Sequence, residues 1–294
     1  MFPDGNAANR RRFLARGFAL AAAPYAVRGG TRTLARDDIR IGTTPVFLDD
    51  QVNLLRLWGR YFEERLGRPV GFVQRHSYQE ITDLLLSDQI DAAWVCSPPY
   101  LMNVPRVRLL CVPIWQGKPL YRSYVIVPAA DTRTRNILDL RGRVYAFSDP
   151  QSNSGHLVPM VELFHAGFTA AAFFLKFFFT YSHRHVVDAV STGLADGGSV
   201  DGYVWETMKK VLPGSTDKTR VAWKSPLYGF PPLIARTNLQ EDRFEALQAA
   251  FVAMSEDASG RALLGKLNLD GFARESPSVF ASVRANLDLV GGTL

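Results

Sequence analysis

The chain has 294 residues, 47% of them hydrophobic and 21% charged, with a mean hydropathy of -0.04. That composition builds a core and excludes a disordered chain, and no apolar run approaches the roughly 18 residues of a membrane span. The formal charge of +6 lends no support to nucleic-acid binding, because it sits at the N terminus. Seven arginines precede Asp37 against one acid, Asp4; removing them from the 34 basic and 28 acidic residues leaves 27 of each.

The basic segment has its own pattern. Arg10-Arg11-Arg12-Phe13-Leu14, followed by weakly apolar Gly17 to Ala23, reads as a twin-arginine export signal over residues 1–37. A basic tail or short anchor is the plainer alternative. No clean A-x-A site marks the cut, which is expected between Val27 and Asp38. Two cysteines, Cys96 and Cys111, are too few for a disulfide framework, and no C-x-x-C spacing points to metal.

From Asp38 the chain alternates strand and helix. Ile39 to Gly42 reads as a strand, and Asp50 to Leu66 as a helix with Val52, Leu55, Trp58, Phe62 and Leu66 on its apolar face. Pro69 to Val73 resumes as strand. Ser77 opens a second helix with Glu80 as capping-box partner, and Ala92 to Val95 is a buried strand. This order implies a parallel sheet with helices on both faces.

A second unit follows a break. Tyr121 to Val127 reads as strand, Leu138 to Arg141 as a helical turn, Arg143 to Phe147 as strand and His156 to His165 as helix. Val186, Val187, Val190 and Leu194 mark another helix, Gly198 to Val204 a strand, and the tail from Glu241 to Val290 is mostly helical. Extended crossings near Tyr121–Pro128 and Leu227–Ala235 divide the chain into a lobe of residues 38–122 plus 228–294 and a lobe of residues 123–227. Ligands of such sheets sit beyond the carboxyl ends of the strands.

The run Asp149 to Gly155 stands at such an end. Ser152, Asn153 and Ser154 with successive backbone N–H groups at a helix N-terminus can hold an oxyanion without a lysine, or they can be an ordinary cap. Cys96 follows a strand end and is either an inert small hydrophobe or a soft ligand; Cys111 belongs in the core. His183 lies in the polar run Ser182 to His185, where a surface position is the plain reading.

Taken together, Asp139 to Phe147, Ser148 to Gly155 and Leu157-Val158-Pro159 resemble the signature of phosphonate/phosphite/phosphate-binding proteins of ABC transporters. Ser182-His183 with Val190, Gly193, Asp196, Gly198 and Val200-Asp201 resembles the family's second-lobe pattern. Tyr78 to Ile81, Asp91 to Trp94 and Pro98 to Leu101 match its first-lobe pattern. The family usually reads S-T-S-G where this chain has Ser152-Asn153-Ser154-Gly155, so a carboxamide replaces a hydroxyl.

The resemblance implies an α/β, two-lobed type 2 periplasmic binding protein fold, each lobe a mainly parallel sheet flanked by helices. It implies a small oxyanion held by Tyr78, Tyr100, Ser152, Ser154 and His183; Asn153, Asp201 and Tyr203 are further candidates for the site, as is Cys96, which departs from the pattern where oxyanion binders commonly have a small Gly or Ser. It also implies a monomer that needs no cofactor or metal and serves an ABC permease. An arsenite-binding sensor branch of the same family uses a cysteine in the region of Cys96, which makes an arsenic ligand and a membrane sensor kinase the alternative. Enzymatic use of Cys96 with His183 is disfavoured, since nothing supplies an orienting third group.

Overall fold

The computed structural model describes residues 37–44 and 52–291. The expected export segment, residues 1–37, lies outside these apart from Asp37. Strands β1 (Ile39–Thr43), β2 (Val70–Gln74) and β3 (Ala92–Trp94) alternate with helices Val52–Leu66 and Tyr78–Leu86. They run parallel, with β1 between its two partners. The second helix starts where its capping box demands: Ser77 Oγ accepts from Glu80 N at 3.2 Å, and the Glu80 carboxylate accepts from Ser77 N at 3.1 Å.

Beyond helix Ser97–Met102 come β4 (Val107–Ile114) and β5 (Leu120–Tyr121), and the chain then builds a second sheet. Its strands are β6 (Ser123–Pro128), β7 (Val144–Phe147), β8 (Lys176–Phe179), β9 (Gly197–Asp201) and β10 (Thr219–Lys224). The return adds β11 (Tyr228–Gly229), β12 (Leu233–Arg236) and β13 (Gly271–Ala273). The sheet orders are β13-β4-β12-β3-β1-β2 and β10-β6-β9-β7-β8.

Both sheets are mixed rather than mainly parallel. Three strands in each, β2-β1-β3 and β8-β7-β9, form the expected parallel part. The strands beside the crossings join antiparallel, because a chain entering from the other lobe arrives at the opposite end of the sheet. Asp91, part of the first-lobe motif, is spent on this architecture. It accepts from Arg40 N at 2.9 Å and from Arg236 Nη2 at 2.8 Å, tying β12 to the start of β3.

Aromatic residues fill both cores. Trp58, Phe62, Phe251 and Phe272 meet at ring-centroid distances of 4.5 to 6.1 Å in the first lobe. Tyr145 stacks on Phe174 at 4.4 Å in the second. The Phe168–Phe179 run resolves into a short helix, Ala170–Phe173, and the edge strand β8. The strand expected over Gly198 to Val204 stops at Asp201, whose carboxylate accepts from Tyr203 N and starts helix Gly202–Val211 instead. No helix of the described residues is long and apolar enough to cross a membrane.

The two crossings run side by side. β5 pairs antiparallel with β11, Tyr121 opposite Tyr228. Just beyond, Ser225 N donates to Ser123 O and Ser123 N donates to Ser225 Oγ, both at 2.9 Å. The Arg122 guanidinium donates to the Ser225 carbonyl.

Candidate functional site

The segment leaving β7 is folded by its own side chains. Asp149 Oδ1 accepts from Gln151 N at 2.7 Å, and Ser152 N donates to Asp149 O at 3.0 Å. Ser152 Oγ then accepts from Gly155 N at 2.9 Å and caps a wide turn, Asn153–Leu157, which leads into helix Val158–His165. Gly155 is obligatory here: a Cβ would stand 1.7 Å from Ser148 Oγ. The Ser154 carbonyl accepts from Ser123 Oγ at 2.6 Å.

The first lobe closes directly onto this loop. Tyr78 N donates to Asp149 Oδ2 at 3.2 Å, Gln151 Nε2 donates to Gln79 Oε1 at 2.6 Å, and Asn153 N donates to Cys96 Sγ at 3.1 Å. Asn153 Nδ2 donates to Tyr121 OH at 3.0 Å, and that hydroxyl lies 4.0 Å from Cys96 Sγ. Burial pushes the Cys96 thiol up to about 12, so it stays protonated. Burial likewise raises Tyr78 and Tyr121 well above the ordinary tyrosine value.

Beside these contacts lies a small recess of about 10 Å³. Thr44, His76 and Tyr78 line it from one lobe, and Ser148, Asp149, Tyr181, Ser182 and His183 from the other. None of the eight is lysine or arginine. Of its lining, the buried side-chain oxygens of Thr44, Ser148 and Ser182 lack a well-aligned hydrogen bond, as do those of Asn153, Ser154 and Asp201 on adjoining segments. Desolvated polar groups left this way are costly, and a ligand that satisfies them recovers that cost.

His183 is deeply buried rather than a surface residue, with 3% of its area exposed. Its Nδ1 accepts from Asp201 N at 3.1 Å, so the ring proton belongs on Nε2. Burial lowers the imidazole to about 3, which makes it a neutral donor at any physiological pH. Burial raises Asp201 to about 7 and raises Asp149 also. Among the described residues no group of three His, Cys, Asp or Glu side chains is placed to hold a metal. The chemistry available is a cage of hydroxyls, a neutral imidazole and loop amides.

Seven of the nine residues expected from the sequence converge here: Tyr78, Cys96, Ser152, Asn153, Ser154, His183 and Asp201. Ser152 acts through its cap on Gly155. Tyr100 lies elsewhere, its ring edge-on to Phe280 at 5.3 Å in the first-lobe core. Tyr203 sits between Trp115 and Phe230 and donates to the Leu267 carbonyl at 2.5 Å, a contact between lobes. The structure adds Thr44, Ser148, Tyr121 and Ser182. Of these, Ser148 and Ser182 stand inside motifs read in the sequence and were within its reach.

The family described as ABC transporter, phosphonate, periplasmic substrate-binding protein matches residues 41–280. The phosphonates-binding periplasmic protein of Escherichia coli (strain K12) is 25% identical over 248 residues, covering 80% of this chain and 72% of that protein. A binding protein component of an ABC phosphonate transporter from Pseudomonas aeruginosa superposes with a TM-score of 0.78 at 20% identity, covering 85% of each chain. PhnD1 from Prochlorococcus marinus (MIT 9301), solved in complex with methylphosphonate, superposes at 0.76 and 19% identity, covering 86% of this chain and 98% of its own. These structures share the two-lobed fold. With the match spanning most of its described length, the chain belongs to the periplasmic substrate-binding proteins of phosphonate ABC transporters, which bind solute and are not enzymes.

Proposed function

We propose that the protein captures a small phosphorus oxyanion (phosphonate, phosphite or phosphate) between its lobes and delivers it to an ABC permease. The observation that carries this reading is the set of buried side-chain oxygens at the recess, those of Thr44, Ser148 and Ser182, none with a well-aligned hydrogen bond, in a described lining that holds no lysine or arginine. Neutral donors fixed in a water-poor site hold an anion through hydrogen bonds of charge-assisted strength. On this reading residues 38–122 with 228–294 make one lobe and residues 123–227 the other. Residues 1–37 direct twin-arginine export, and the mature protein works as a monomer.

The test is titration calorimetry with phosphate, phosphite and methylphosphonate, alongside thermal unfolding, since a ligand of the native state raises its stability. Ser154→Ala removes one donor to a charged oxygen and should weaken binding by about 1–3 kcal/mol. Absence of binding by all three ligands, or an unaltered affinity in Ser154→Ala, would count against the site.

The arsenite reading rests on Cys96, which stands at the meeting point of the lobes. It would make the protein the solute sensor of a membrane kinase. The protonated thiol and its engagement with Asn153 favour the oxyanion instead. Cys96→Ser separates the two: phosphite affinity should change by less than about tenfold, whereas arsenite binding through sulfur would vanish. Arsenite bound by the wild type and lost in Cys96→Ser would reverse the preference.

A further inference from the structure

Most oxygens around the recess belong to hydroxyls, which donate or accept as a ligand requires. Asp201 is different. It closes β9 and caps helix Gly202–Val211, with Oδ1 accepting from Tyr203 N at 2.8 Å. Its own N–H is committed to His183 Nδ1. With both ends fixed, the carboxyl cannot turn away; the Val204 N–H also leans on it from the cap, and Oδ2 is buried with no well-aligned hydrogen bond. In the strand register Asp201 lies opposite Ser123, whose hydroxyl holds the Ser154 carbonyl, so the carboxyl sits beside the anion-holding loop. Its charge is felt by Tyr78, Cys96 and Tyr121 on the facing lobe.

An ionised carboxylate only accepts hydrogen bonds. Beside a fully ionised oxyanion it would keep an unmet acceptor and add charge repulsion, both in a buried place. A ligand that still carries a proton on one oxygen supplies the missing donor and removes the repulsion. Resting on the oxyanion reading above, we propose that Asp201 sets the specificity of the site by accepting a hydrogen bond from a P–OH group, so that monoprotonated phosphorus oxyanions bind and sulfate and sulfonates are rejected. Methylphosphonate and methanesulfonate have nearly the same shape, and only the former retains a proton near neutrality. Sites built around such a hydrogen bond reject the analogue that lacks it far more strongly than apolar pockets reject a size mismatch.

Asp201→Asn keeps an oxygen for the helix cap and replaces the orphan acceptor with an amide donor. Calorimetry at about pH 7.5 should show wild type preferring methylphosphonate over methanesulfonate by about 100-fold or more, and the variant narrowing that ratio at least about tenfold. The pH dependence gives a second measurement. Methanesulfonate does not titrate, so its affinity should rise as pH falls from about 8 to 5.5 and Asp201 takes up a proton.

Asp149 is also raised by burial and His76 lines the recess, so the pH response is assigned to Asp201 by its loss in Asp201→Asn. His183, Cys96, Tyr78, Tyr121, Tyr124 and Tyr203 stay uncharged throughout. Both oxygens of Asp149 are held by backbone N–H groups. Glu206, one turn along the capped helix, is engaged by Tyr124 and Lys224.

A wild type that binds both ligands alike, or a ratio unmoved by Asp201→Asn and by pH, overturns the proposal and leaves the oxyanion reading standing. Binding of 2-aminoethylphosphonate without methylphosphonate also overturns it, because the donor is then the ligand's ammonium. A wild type that binds no phosphorus oxyanion defeats both.

Discussion

Asp201→Asn should stabilise the ligand-free protein by an amount that grows on the order of 4 kcal/mol between about pH 4 and pH 8. Burial raises the Asp201 carboxyl from 3.8 to about 7. Across that window the native state holds a proton that the unfolded chain has released, so rising pH costs the wild type stability until the folded value is passed. Asparagine has nothing to release.

His183 has the opposite slope. Its imidazole is lowered from 6.5 to about 3. There the unfolded chain binds a proton that the native state refuses, and stability rises with pH until about 6.5. These two slopes oppose each other between about pH 4 and 6.5, so Asp201→Asn, which keeps the His183 slope alone of the pair, should climb more steeply with pH than the wild type over that range. Urea unfolding of both proteins across a pH series checks this. A constant difference between them would mean that Asp201 titrates as an ordinary carboxyl.

Gly155→Ala should abolish ligand binding while leaving the two lobes folded. The added Cβ would stand 1.7 Å from Ser148 Oγ and 2.7 Å from Ser148 Cβ, too close for any rotamer of Ser148 to relieve. The loop must move outward. Its movement breaks the Ser152 cap on Gly155 and displaces Ser154 from Ser123. A stability cost of about 1–3 kcal/mol is expected from overpacking. Binding should fall by about 100-fold or more, since a shift of about 1 Å in the donors is enough to misplace them. Calorimetry measures the second effect and circular dichroism with urea the first; near-normal affinity would show that the loop is more pliant than its packing implies.

The parts of the fold that were legible in sequence are those written in local chemistry. The capping box at Ser77 and Glu80, the periodic face of the helix through Trp58 and Phe62, and the Asp149–Gly155 run between strand and helix each carry their signal within a few residues. Helix Gly202–Val211 was hidden because Tyr203, Val204 and Trp205 favour strands, and a single carboxylate cap overrides that preference. β8 was hidden within a run of phenylalanines that fits either state.

The site was legible only in part, for a similar reason. Ser152 to Ser154 announce themselves as a loop, but Tyr121, Thr44 and Ser182 come from separate segments that meet only once the lobes are closed. Tyr100 shows the converse. It lies near Cys96 in sequence, and Phe280, remote in sequence, takes its ring into the core.

The paired crossings have a mechanical consequence. Because β5 and β11 are hydrogen-bonded to each other, and Ser123 to Ser225, the connection is a ribbon that can flex across its width but cannot slide along its length. Such a pivot permits one swing and resists shear, so opening must break the Tyr78–Asp149, Gln151–Gln79 and Asn153–Cys96 contacts together rather than in turn. Tyr121 belongs to that ribbon, and its hydroxyl is also the one that accepts from Asn153. The joint therefore touches the cargo loop directly, and whatever grips or frees Asn153 is transmitted to the axis on which the molecule turns.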